Sequence, residues 1–344
     1  MIGGMASLPR SFPSSMRRSL ALLGLFTSLG CTTPAPAPSA PASSAEPREA
    51  LTVALVEPKP TAAASATAQA VAATPPPAPV SSARVWTQGY AWPTDGTQGP
   101  KATGSLDERF PTEPGFTRVA VAPGSFAAFL RSLPVAEKGT PVLSFRGQTI
   151  LAGDDARLGA VVAIDVGDKD LQQCADSIIR MHAEWRRAVG RGDVSYKSLS
   201  GFSMPYDRWR KGERFVLAGK DLAWTGGGRA DDSRASFRSY LDNVFMWANT
   251  VGLARDAQKP ARADVRAGDF FVLGGAPGHA VLVLDVATDG AGHKRALIGQ
   301  GYMPAQSFHV VRSPEGSVWH SLDGDEVRTP FWVPFPWDSL RRLD

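Results

Sequence analysis

Cysteine and histidine are both scarce in this sequence: two Cys, at 31 and 174, and five His in 344 residues. Two thiols exclude a disulfide framework and a Cys-rich metal centre. The histidines at 182, 279, 293, 309 and 320 show no His-x-x-x-His or His-x-His spacing, so no metal site and no cofactor is expected. There is no Gly-x-Ser-x-Gly elbow, and the Gly triplet at 226–228 lacks the Gly-Lys-Ser/Thr of a phosphate loop. An excess of one charge is also missing where it would matter. The 37 basic and 33 acidic residues divide as +3 in residues 1–30, zero in 31–85, and 31 against 30 in the remainder. The basicity belongs to a leader, which gives no reason to expect a nucleic-acid partner.

Residues 1–30 read as an export signal. Arg17 and Arg18 precede a short apolar run at 20–26, and small residues come after it. That run is far shorter than the roughly 20 residues a spanning helix needs. Gly30-Cys31 resembles the cleavage box of bacterial lipoproteins. The resemblance implies acylation of Cys31, with membrane attachment through more than one chain. Thr32, in place of Asp, implies by the same resemblance the outer membrane of a Gram-negative envelope.

Residues 31–85 form the second expected segment. From 32 onward it holds 17 Ala and 11 Pro among 54 residues, with no aromatic and no Gly. Such a composition cannot bury enough surface to fold and favours extended polyproline II, which suits a tether.

Residues 86–344 are expected to form one α+β domain, an N-terminal helical part followed by an antiparallel sheet. Ser125 can cap a helix running to 133. Asp168 or Asp170 can cap the clearest helix, in which Leu171, Cys174, Ala175, Ile178, Met181, His182 and Trp185 recur at three-four spacing. A second helix is expected over 233–253. The period then switches to two, giving strands at 269–273, 279–285, 295–300 and 308–311. Helices first and a meander last define the class. Trp86, Tyr90 and Trp92 are aromatics suited either to stacking on sugar rings or to filling a core.

Cys174 is the one thiol of that domain. It lies on the apolar stripe of its expected helix, four to six residues in, where the helix dipole has largely faded. A nucleophilic thiol needs a base, and the base needs an orienting group. His279 opens a strand and can serve as base. Asp285 shares its strand face but lies ~20 Å along it, too far to orient it. Gln300 ends the next strand: if paired residues sum to 579 it faces His279, and if they sum to 580 it points away. A reactive Cys174 would be accessible with a low pKa; a buried, silent one would leave a protein that binds a peptide, a glycan or a protein partner.

Cys174 near a helix start, Gly268-Asp269-Phe270-Phe271-Val272, Gly278-His279-Ala280-Val281 and a polar residue on the following strand resemble the permuted papain-like amidases of the NlpC and CHAP types, which cut peptide bonds of bacterial cell walls. That resemblance implies Cys174 as nucleophile, His279 as base and Gln300 as orienter, with peptidoglycan or an envelope protein as partner. Gln173 and the Cys174 N–H are oxyanion candidates beside the nucleophile. Tyr302, Met303 and Gln306 come after the orienter and are candidate cleft residues. A second resemblance covers about 109–343. Asp170-Leu171-Gln172-Gln173-Cys174-Ala175-Asp176, Asp207-Arg208-Trp209 and Gln300-Gly301-Tyr302-Met303-Pro304-Ala305-Gln306 are similar to the family called domain of unknown function 4846, often lipidated bacterial proteins, which implies no activity.

Overall fold

The computed structural model describes residues 90–94 and 96–344. The expected leader, Cys31, tether and Trp86 lie outside them. One antiparallel sheet of eight strands organises the fold: β1 (Thr117–Arg118), β2 (Leu158–Val161), β3 (Asp269–Leu273), β4 (His279–Thr288), β5 (Lys294–Gln300), β6 (His309–Val311), β7 (Trp319–Ser321) and β8 (Leu340–Arg342). The main path runs β8-β3-β4-β5-β6-β2, with β7 on β5 and β1 on β4. Four of its helices are α1 (Phe126–Arg131), α2 (Cys174–Ala188), α3 (Arg234–Trp247) and α4 (Thr250–Asp256). The class is α+β.

Strand β4 is buried from His279 to Ala287 because both sheet faces are covered. Ala280, Leu282 and Leu284 meet the helices, whereas Val281 and Val283 pack with Phe271, Ile298 and Phe335 on the far side. Ile178, Ile179 and Met181 of α2 are at most 1% exposed, and such burial stabilises by about 2 kcal/mol per side chain. Trp92 and Tyr90 fill this core rather than project from it. The Trp92 indole donates to Ala163 O at 2.7 Å, and Tyr90 lies 5.1 Å from Phe129.

Three local expectations are corrected. First, α2 begins at Cys174, not at 168–170. Asp170 accepts from the Ala305 N–H at 2.7 Å and from the Gln173 amide, so it is held by a distant loop and does not cap. The cap is Gln173, whose N–H donates to Asp176 Oδ2 at 3.2 Å. Second, the helix expected over 233–253 is two. Asn249 Oδ1 accepts from Gly252 N–H at 2.8 Å and starts α4, leaving Ala248 extended. Third, Leu282↔Gly299 and Val283↔Ile298 each sum to 581, a register that is neither 579 nor 580, and at Leu284 it steps to 582, with Asp285↔Leu297. A bulge residue inverts the facing of every later residue in its strand. Asp285 therefore leaves the His279 face and turns to α1, where Arg131 of that helix and Arg118 of β1 each hold it at 2.7 Å.

Candidate active site

The start of α2 is locked before the thiol is reached. Arg180 and Glu184 are both fully buried and paired at 2.7 Å, and Arg180 also reaches Asp165 at 2.9 Å. Arg234 binds Glu184, and Arg238 of α3 joins Asp165 at 3.2 Å. Gln172 Oε1, two residues before Cys174, accepts from Arg180 at 2.8 Å and Arg238 at 3.0 Å. The turn that presents the nucleophile candidate is thus tied to two helices by charge-assisted bonds.

Cys174 is the first residue of α2, which corrects the expected depth of four to six residues and restores the dipole at its thiol. Strands β4 and β5 pair as far as Leu282 and Gly299 and then part. The thiol occupies that parting. Sγ lies 4.0 Å from Gly278 O, and the Ala280 N–H is directed at it, so sulfur takes the place of a ladder partner on either side of His279. Approach this close requires a glycine opposite. A Cβ on Gly301 would lie 2.2 Å from Ser177 Oγ and 2.8 Å from Gln173 O. Gly301→Ala is therefore expected to push α2 off the sheet end and destabilise by about 1–3 kcal/mol. A urea-unfolding midpoint read against the parent checks this, and an unchanged midpoint would refute it.

Extended by one pair, the 581 register sets Gln300 against Val281, diagonal to His279 on the same face. The long amide spans the diagonal: His279 Nε2 lies 2.9 Å from Gln300 Oε1. The other ring nitrogen, Nδ1, is buried and has no hydrogen-bond partner among the described residues. Tyr302 and Trp332 roof the imidazole, with ring centroids 4.8 and 5.1 Å away. Gln300 is opposite His309 in β6, and its Nε2 lies 3.3 Å from His309 Nε2. On the α2 side, a cleft of about 630 Å³ opens at Cys174, bounded by Gln173, Trp247, Asn249, Pro277 and Met303.

Residues 106–342, which are 237 of 344, match the family described as a domain of unknown function (4846). The chain belongs to that family. No curated protein and no solved structure matches it. The 4846 match takes in every residue of the constellation just described.

Electrostatically, this 4846-family site is uncharged at rest. Burial, with the nearby Asp176 carboxyl adding to it, pushes the Cys174 thiol up to about 11. Burial also pushes the His279 imidazole down to about 4, against the smaller opposing effect of its bond to Gln300. The thiol is 5% exposed, so the accessible, low-pKa cysteine expected of a reactive site is not what the fold presents. Asp176, fully buried, is itself held well above the usual carboxylate range by burial, and its Oδ1 lacks a partner among the described residues.

Other expected residues divide. Tyr302 and Met303 reach the site, one over the imidazole and one in the cleft wall. Gln173 lines the cleft, but its amide donates to Asp170 at 3.1 Å, which commits one of its two N–H groups. Gln306 does not reach the cleft. Its backbone bridges Ser144 and its side chain is buried there. Trp332, Asp176 and His309 were not expected. The Gln173-x-x-Asp176 spacing carried a capping signal for the second; nothing in spacing marked the other two.

Proposed function

We propose that the protein is a cysteine-dependent amide hydrolase or transferase of the bacterial cell envelope, acting on cell-wall peptide or an envelope protein. The observation that carries this reading is the state of His279: one nitrogen is held by Gln300, the other is buried and unpartnered among the described residues, and a helix-start thiol lies against the backbone at Gly278 and Ala280 on either side of it. The leader, the Gly30-Cys31 box and the Ala/Pro-rich segment support an envelope location with a lipid on Cys31, in the outer membrane.

With both groups neutral, the proton moves during attack rather than before it. Sγ bonds to the acyl carbon while His279 Nδ1 takes the thiol proton. The carbonyl oxygen becomes an oxyanion beside the N–H groups of the first α2 turn. The C–N bond then breaks and the leaving amine takes the proton from His279. Water, or an acceptor amine in a transferase, cleaves the thioester. The 5% exposure of Cys174 favours a second reading, a non-catalytic lipoprotein whose cleft binds a peptide, a glycan or a protein partner.

4-Nitrophenyl acetate separates the two readings without knowledge of the natural substrate. Attack by Sγ forms a thioester and expels nitrophenolate. The folded protein should release a burst near one equivalent, absent in Cys174→Ala and slowed about 100-fold or more in His279→Ala. No burst from the native protein, with acylation only after denaturation, would leave the binding reading.

A further inference from the structure

The geometry points to His309 as a positioning residue that, through Gln300, dictates which nitrogen of His279 is left free as a base. This inference deepens the amide-hydrolase reading and rests on it for its functional consequence. The structural part stands on the hydrogen-bond chain and the burial of His309.

The chain is closed by a group with no choice. His309 Nδ1 lies 2.9 Å from Ser307 O, a carbonyl oxygen that only accepts, so Nδ1 carries a proton. His309 is fully buried and burial pushes its pKa down to about 4, so the ring is neutral and Nε2 holds a lone pair. A lone pair must be met by a donor. Gln300 therefore turns its NH₂ toward His309, at 3.3 Å, and its Oε1 toward His279. Oε1 in turn accepts from His279 Nε2–H at 2.9 Å, which fixes that proton on Nε2 and leaves the lone pair on Nδ1. Each step is forced by the one before it. The tautomer of the base is thus set by a backbone carbonyl at Ser307, two side chains away.

A neutral amide alone cannot do this. With its NH₂ unpaired, Gln300 can rotate by 180° and offer a donor to His279 Nε2, which would move the imidazole proton to Nδ1 and remove the base. Apolar packing of His309 against Phe331, at 5.9 Å between centroids, would be kept by any ring of similar size. A lone pair at Nε2 would not.

The test is ¹⁵N NMR of the imidazole nitrogens in the full chain, which reports tautomers whether or not the protein turns over any substrate. In the parent protein His309 should carry its proton on Nδ1 and His279 on Nε2. In His309→Phe, His279 should shift to a mixture including the Nδ1–H form, and the nitrophenolate burst should slow roughly 10–100-fold. His309→Gln, which restores an acceptor, should recover both readouts. A parent protein with the His309 proton on Nε2 overturns the inference directly, even if neither variant folds. So does a folded His309→Phe whose His279 stays wholly Nε2–H. If the parent shows the expected tautomers but no burst, the hydrolase reading fails while the tautomer chain stands.

Discussion

Acidification is expected to unfold the domain between about pH 5 and pH 4. His182, His279 and His309 are each buried, and burial pushes each pKa from 6.5 to about 4; His320 is lowered by the same cause. A depressed imidazole pKa means that the folded state stays neutral while the unfolded chain takes up protons. Stability is therefore full above about 6.5 and is lost as pH falls through the folded value near 4. At pH 4 each of the three contributes a loss of about 3 kcal/mol, roughly 9 in all, against a total stability of about 5–15 kcal/mol for a typical domain. Asp176 opposes this, because its raised pKa lets the folded state bind a proton before the unfolded one does. Near-ultraviolet circular dichroism from the buried tryptophans provides the readout. A signal unchanged down to pH 4 would mean that the imidazoles find solvent or charge partners in the fold and would overturn this expectation.

The second large effect is expected at Asp285. Its carboxylate is inaccessible and holds Arg118 at 2.7 Å and Arg131 at 2.7 and 3.0 Å. Arg131 is itself 8% exposed. Asp285→Ala strands that guanidinium in a low-dielectric site, a change expected to cost about 3–5 kcal/mol, read as a drop in urea midpoint. The nitrophenolate burst, measured on the fraction that remains folded, should be unaffected, since Asp285 faces α1 and not His279. If the burst disappears at little cost in stability, Asp285 serves the chemistry, and the assignment of Gln300 as orienter would be overturned.

The α+β class and the strands from 269 to 311 were legible from periodicity and chain order, whereas the meeting of His279 with Gln300 was left open between two registers and arises from a third. What was illegible has a common cause: contacts that spacing along one element does not encode. Asp170 has the right type and place for a cap, yet a loop 135 residues away claims it. Register was set by where β4 and β5 part and by a bulge at Leu284, features that neither turn residues nor alternation announce. Arg180 and Glu184 have the i,i+4 spacing of an ordinary surface pair and are instead wholly buried. His309 escaped because histidine pairs are sought at short spacing, whereas it meets Gln300 across a ladder. The resemblance to papain-like amidases implied roles for Cys174, His279 and Gln300 and was silent about His309.

Cys174 and His279 are 105 residues apart, and Gln300 and His309 come later still. A thiol at the first turn of a helix is completed only by the pairing of strands near the end of the chain, and non-local pairings form late and slowly. The nascent chain therefore carries Cys174 before His279 is positioned, and the imidazole proton is assigned only when β5 and β6 dock. On the proposed hydrolase reading the topology acts as a timer, bringing thiol and imidazole together only when synthesis and folding are nearly complete.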